Sequence, residues 1–199
     1  MVELTLTDRQ RRERAYYDTY SRISAPAEVS FDPVMGEQRR PWNSYWYLAE
    51  LAVKGFKSSE QRLLDFGCGP GYYSMQYAKI GYDVYGFDIS ASNIEHAGRL
   101  SRTYQCEQKT HFQVGIAETL DYPDQFFDII IGVDILHHVH IGKAMDECRR
   151  VLKPGGVAIF HEPIRVPAFD GLRDSKLGLW LAPKTVSFET HITEDEKKL

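Results

Sequence analysis

The chain has 199 residues, 43% apolar and 26% charged, the balance of one soluble globular domain with a core of its own. With 24 Lys and Arg against 28 Asp and Glu, the net charge is -4, and no basic arm announces nucleic acid. Cys68, Cys106 and Cys148 are scattered, form no metal-binding pair and suit a reducing cytoplasm; neither a signal-peptide core nor an apolar run of membrane-spanning length appears.

In chain order, residues 7–21 are polar and arginine-rich, with Tyr16, Tyr17 and Tyr20 on a helical spacing. Residues 22–40 carry Pro26, Pro33 and Gly36 and read as a loop. Pro41 suits a helix start, and Trp42 to Lys54 keeps Trp46, Leu48, Leu51 and Ala52 mostly on one side until Gly55 ends the pattern. Strands are then predicted at 62–66, 83–87, 110–114, 127–133 and 157–161. Helices are predicted at 71–79, 91–104 and 141–152, with Ser90 as the cap of the second. This alternation predicts a parallel sheet covered on both faces, with its ligand crevice beyond the carboxyl ends of the strands. Near the C-terminus, Thr193 to Glu196 reads as a capping box.

The densest signal is Leu63-Leu64-Asp65-Phe66-Gly67-Cys68-Gly69-Pro70-Gly71, followed 17 residues after its last glycine by Asp88. It reads as a strand, a glycine turn, a helix and a second strand with an acid at its tip. Glycines let a ligand approach the turn backbone. Amides at the helix start favour a polar or anionic group. An acid at the next strand tip can accept both hydroxyls of a ribose, as in dinucleotide-binding folds. The dinucleotide fingerprint, however, is spaced G-x-G-x-x-G. Here it is G-x-G-x-G with an acid two residues upstream, which would repel a pyrophosphate and hold an ammonium. A nucleoside carrying an amino acid fits better.

Leu63 to Ser90, with Phe112 to Glu118, Phe127 to His138 and Arg149 to Phe160, are similar in order and spacing to class I S-adenosylmethionine-dependent methyltransferases. The likeness covers residues 62 to about 163, and Arg40-Pro41-Trp42-Asn43 and Glu162-Pro163 resemble a bacterial small-molecule branch of that family. It implies a Rossmann-like, doubly wound, mostly parallel α/β sheet with helices on both faces. With 36 residues after Pro163, the expectation is a sheet lacking the family's last two strands. Residues 1–61 would form a helical cap over the active site, 62–163 the cofactor-binding core, and 164–199 a truncated domain end. The implied cofactor is S-adenosyl-L-methionine and the implied partner a small-molecule acceptor. Neither nucleic acid nor integral membrane contact is expected, and an exposed sheet edge is a candidate homodimer surface.

The resemblance assigns Asp65, Gly67, Gly69 and Gly71 to the methionine half of the cofactor, Asp88 to the ribose and Ile89 to one adenine face. Ala117 and Glu118 fall where the family positions the adenine amino edge; Ile116 stands where an Asp is frequent there, which leaves recognition to backbone groups. A carbonyl at Val133 or Asp134 would accept from the cofactor ammonium. His137 and His138 should border the acceptor. His138 is the candidate general base, but methyl transfer needs mainly alignment, and no partner that would tune a base is evident. No metal is expected at His137, His138 and His140, because adjacent histidines on a strand-to-helix turn should point apart. Tyr16, Tyr17, Tyr20, Trp42 and Tyr45 are candidates for an aromatic lid. From Ile164 to Phe188, Leu172, Leu177, Leu179, Trp180 and Leu181 beside Arg173, Lys176 and Lys184 suit an apolar acceptor pocket, a membrane-surface contact or, the favoured reading, a cover over the fifth strand. The rival readings are a cofactor-binding but inactive or regulatory protein, and a nicotinamide oxidoreductase, which the glycine spacing disfavours.

Overall fold

The computed structural model describes residues 5–24, 28–36 and 43–163. The capping box at Thr193 to Glu196, the apolar segment Ile164 to Phe188, the chain end on which the expected lack of the family's last two strands rests, and Trp42 lie outside the described residues. Five strands form one parallel sheet: β1 (Arg62–Phe66), β2 (Asp83–Asp88), β3 (Thr110–Val114), β4 (Phe127–Val133) and β5 (Leu152–His161), in the order β3-β2-β1-β4-β5. Ahead of them come α1 (Asp8–Ser24), the single turn α2 (Asp32–Met35) and α3 (Ser44–Gly55). Between strands run α4 (Tyr72–Ile80), α5 (Ala91–Thr103) and α6 (Ile141–Val151). Among the described residues no helix is long and apolar enough to cross a membrane.

Alternate side chains of a strand face opposite sides of the sheet, and two cores follow from that. Leu63, Val84, Ile129 and Ile131 pack with Leu48, Ala52, Met75 and Leu100 on the α3, α4 and α5 side. Leu64, Phe66 and Ile130 pack with Ala144, Cys148 and Val151 of α6 on the other. Each such aliphatic side chain contributes about 1.5–3 kcal/mol on full burial.

The predicted elements from residue 62 onward are present, with two boundary corrections. Strand β5 starts at Leu152 rather than Val157, and α6 ends at Val151. Leu152 pairs with Phe127 and Val157 with Ile129, so Lys153 to Gly156 bulge out of register, with Gly155 at φ 79. Helix α3 is capped by Asn43, whose side chain accepts from Tyr45 and Trp46 amides, so the described helix opens at Ser44 and not at Pro41. Ser90 caps α5 as expected, accepting from the Asn93 amide.

The chain reverses between β1 and β4: β1, β2 and β3 build outward one way, and β4 and β5 lie on the other side of β1. Parallel sheets bind ligands outside the carboxyl ends at such a switch point. The loops after β1 and β4 meet there.

Candidate cofactor and acceptor site

Asp65 sits on central strand β1 with 2% of its surface exposed. Its carboxylate accepts from the Ser74 hydroxyl of α4 at 2.5 Å. Burial, with the charge of Asp88 adding, pushes its pKa up to about 7 despite that bond. A carboxyl held so far from water is stabilised by a cation beside it. After Phe66 the chain turns sharply, with Gly67, Gly69 and Gly71 all at positive φ.

The three glycines do different work. A Cβ on Gly67 would stand 2.7 Å from the Ile135 side chain, and one on Gly71 would stand 2.7 Å from the Ala97 Cβ. Those two let the turn pack against the loop after β4 and against α5. A Cβ on Gly69 would meet nothing within 4 Å. The turn is therefore open at Gly69, and a ligand can lie there against bare backbone. Of the three glycines assigned to the cofactor, only Gly69 faces free space.

Asp88 ends β2 next to that turn. Its Oδ2 accepts from the Gly69 amide at 3.0 Å, and its Oδ1 from the Ser90 amide at 2.8 Å and Asn93 Nδ2 at 3.1 Å. A carboxylate offers about four acceptor positions, and three are filled. One position remains beside the turn, and the other lone pairs hold the loop in shape. Nor is Asp88 a free strand tip. Burial raises its pKa, and the three hydrogen bonds only partly offset this. Ile89 follows it half-buried.

Beyond β3, Ala117 is 3% exposed and packs in the α6-side core with Leu120 and Phe127. Glu118 is spoken for: it accepts from the His140 amide at 2.8 Å and from Gln10 Nε2 of α1 at 3.0 Å. Val133 closes β4, half-buried against the other core. Asp134 follows in a left-handed conformation, φ 53, that few non-glycine residues adopt. Its carboxylate binds the Tyr45 hydroxyl at 2.8 Å and His161 Nδ1 at 2.9 Å, while His161 Nε2 meets the Ser44 hydroxyl at 2.8 Å. The ring of Tyr45 lies 4.4 Å from that of His161 and 6.2 Å from that of Tyr73. A cleft of about 300 Å³ opens beside it, walled by Tyr45, Trp46, Tyr72 and Tyr73.

His137 and His138 occupy a single 3-10 turn, Leu136–His138. Glu162 braces this turn, its Oε1 accepting from the Ile135 and Leu136 amides and its Oε2 lying 2.7 Å from His137 Nδ1. The two histidine rings do not point apart, as the sequence suggested; their centroids are 4.0 Å apart. The one-turn helix puts neighbouring side chains closer than an extended loop would. They nonetheless reach different acids, His137 the Glu162 carboxylate and His138 the Glu13 carboxylate, at 3.2 Å from Nδ1.

Helix α1 is the element that the sequence under-described. Among its described side chains the half-buried and buried positions are Gln10, Glu13, Arg14, Tyr17, Asp18 and Ser21, a three-and-four spacing of polar residues and one tyrosine. Gln10 binds Glu118 after β3. Asp18 accepts from the Ser90 hydroxyl at 2.6 Å and from the Ser92 amide at 3.2 Å after β2. The Tyr17 hydroxyl lies 2.8 Å from His138 Nε2 after β4, and Arg9 donates to the His137 carbonyl. Of the tyrosines proposed as a lid, only Tyr17 on this helix reaches the site. Tyr16 and Tyr20 are exposed and stack on each other. Glu13, Gln10 and Asp18 were not foreseen. Their spacing was visible, but a polar stripe reads as a solvated face unless its partners are known.

Residues 64–160 match the methyltransferase domain family. A ubiquinone biosynthesis O-methyltransferase of Bradyrhizobium sp. (strain ORS 278) is 35% identical over 128 residues, 57% of this chain and 47% of that protein. One from Cereibacter sphaeroides (strain ATCC 17025 / ATH 2.4.3) is 32% identical over 143 residues, 68% of this chain and 56% of that one. The chain spans about half the length of the curated relatives it matches. The PH0226 protein from Pyrococcus horikoshii OT3 has a similar structure, with TM-score 0.56 and 27% identity over 71% of this chain and 63% of that chain. With the switch-point crevice, the open Gly69 turn and the acids at the tips of β1 and β2, residues 64–160 of the chain form a methyltransferase domain of the class I S-adenosylmethionine-dependent kind.

Proposed function

We propose that the protein transfers a methyl group from S-adenosylmethionine to an oxygen, nitrogen or carbon nucleophile of a small cytoplasmic metabolite. The observation that carries this is the open backbone at Gly69, set between the buried carboxyl of Asp65 and the half-buried carboxyl of Asp88 at the switch point. Asp65 would balance the ammonium of the cofactor, Gly69 would lie against its methionine portion, and Asp88 would accept one ribose hydroxyl. Gly67 and Gly71 shape the turn. Ile89 would border the adenine, Ala117 and Glu118 its amino edge, and the Val133 carbonyl the ammonium. Bound cofactor supplies a methyl on a sulfonium, which is an activated electrophile. What the chain adds is orientation, exclusion of water by α1, and acceptance of the acceptor's proton at His138.

Relatives named as O-methyltransferases favour oxygen as the nucleophile. Calorimetric titration with S-adenosylmethionine, S-adenosylhomocysteine and NAD tests the cofactor. Label from methyl-tritiated S-adenosylmethionine appearing in a low-molecular-weight metabolite extract tests the reaction. Cofactor binding without label transfer would favour the regulatory reading. Binding of NAD alone would sink the proposal.

A further inference from the structure

We propose that Glu13 is a positioning residue that holds His138 in one tautomer, with the proton on Nδ1, so that Nε2 presents its lone pair to the acceptor. The inference deepens the methyltransfer reading and rests on it. Glu13 and Tyr17 stand four residues apart on the inner face of α1, so one helix face meets both ring nitrogens. Glu13 Oε2 lies 3.2 Å from Nδ1, and the Tyr17 hydroxyl lies 2.8 Å from Nε2.

Donor and acceptor accounting settles which nitrogen carries the proton. Burial alone would raise the Glu13 carboxyl, but the His138 side chain beside it, with Arg9 and His137 adding, holds it below its usual range. Glu13 is therefore a carboxylate, which only accepts. Tyr17 is a phenol whose ionisation burial opposes, together with the negative charges of Glu13 and Asp88, so it keeps its proton to donate. A carboxylate at Nδ1 needs N–H there, and a phenol donating at Nε2 needs a lone pair there. For a neutral ring, both demands select the same tautomer. A carboxylate that fixes an imidazole in this way also stabilises the imidazolium formed when Nε2 takes a proton.

The Tyr17 hydroxyl marks the place of the acceptor. An acceptor hydroxyl or amine that displaces it would donate to Nε2 along the same line. During transfer its X–H bond breaks and the proton goes to Nε2. The electron pair left on X forms the bond to the methyl carbon, and the carbon–sulfur pair departs with the sulfur as a neutral thioether. The positive charge thus moves from sulfonium to imidazolium, where Glu13 faces it. The remaining charged neighbours, Arg9 at the His137 carbonyl and Glu162 at His137 Nδ1, fix the turn and not the Nε2 lone pair.

The test is a long-range proton–nitrogen correlation spectrum of the intact chain labelled at its 7 histidines, with His138 assigned by its loss in His138→Gln. The wild type should show a pyrrole-type Nδ1 and a pyridine-type Nε2 at His138. Glu13→Leu in a Tyr17→Phe background, which leaves no acceptor at Nδ1 and no donor at Nε2, should mix or invert the tautomers, whereas Tyr17→Phe alone, which keeps the carboxylate, should leave them as they are. With tritiated S-adenosylmethionine and a metabolite extract as the acceptor source, Glu13→Gln should lower the maximal labelling rate by roughly 10–100-fold. The extract concentration at half-maximal rate should stay within about twofold, as for a group acting in the transition state. A wild-type proton on Nε2, a tautomer unchanged in the Glu13→Leu, Tyr17→Phe double variant, a tautomer shifted by Tyr17→Phe alone, or a loss confined to half-saturation would each overturn the inference. Failure of cofactor binding would instead sink the methyltransfer reading, and the spectrum separates the two.

Discussion

At the residue scale, Gly69 and Asp88 carry the sharpest tests because they combine a ligand role with a structural one. Gly69→Ala places a methyl where nothing stands within 4 Å, so steric cost within the protein is absent. The left-handed φ of 51 still costs an alanine about 1–2 kcal/mol of strain. Thermal unfolding should show that modest loss, whereas S-adenosylhomocysteine affinity should fall by much more, because the methyl enters the ligand's space. Equal losses in stability and affinity would leave Gly69 a turn residue. Asp88→Ala removes the acceptor of the Gly69 amide, the Ser90 amide and Asn93 as well as the place for a ribose hydroxyl. Cofactor affinity should drop by roughly 1.5–3 kcal/mol, with a lower Tm alongside. A folded variant with unchanged affinity would remove Asp88 from the site.

At the element scale, α1 is the unusual piece. An ordinary surface helix buries an apolar stripe, which supplies most of its docking energy. Among its described side chains the inward stripe of α1 is Gln10, Glu13, Arg14, Tyr17, Asp18 and Ser21, which attach it by hydrogen bonds to the loops after β2, β3 and β4. Each such bond nets only about 0.5–1.5 kcal/mol, since water competes for the same groups. The helix should therefore open at far lower cost than the sheet. Hydrogen exchange should be fast across α1 and slow in β1 and β4 without ligand, and adding S-adenosylhomocysteine should slow α1. Protection of α1 equal to that of the sheet, or no response to ligand, would contradict a polar lid.

At the scale of the whole molecule, the buried Asp65 sets stability against function. Its pKa is about 7 in the folded protein and about 3.9 in an unfolded chain. Between those values the folded state keeps a proton that the unfolded state has lost. Its contribution to stability therefore falls as pH rises through that window and is level above it. Asp65→Asn keeps an oxygen for the Ser74 hydroxyl but carries no charge. It should raise Tm over wild type at about pH 8, change it little near pH 4, and weaken cofactor binding at both. A Tm difference independent of pH would mean that Asp65 ionises freely in the folded protein. Asp88, also raised by burial, adds the same sign; Glu13, Asp18 and Glu162, held low by their hydrogen bonds, lose stability only in acid.

The strands, the glycine turn and the acids at 65 and 88 were legible because their signals are local. Period-two apolar runs, glycines at a fixed spacing and a strand-ending acid follow from backbone geometry within a few residues. Even the crevice could be placed, since alternating strands and helices leave few topologies. What the tertiary structure decided was which groups those local features face. It separated Gly69 from Gly67 and Gly71 by what stands over each, and it showed Asp88 bracing the turn it was expected only to border. It brought Glu13 to His138 across 125 positions of sequence, a meeting that no local pattern encodes. A polar residue on a polar helix reads as solvated until its partner is known, because hydrogen bonding, unlike apolar periodicity, depends on both ends of the contact.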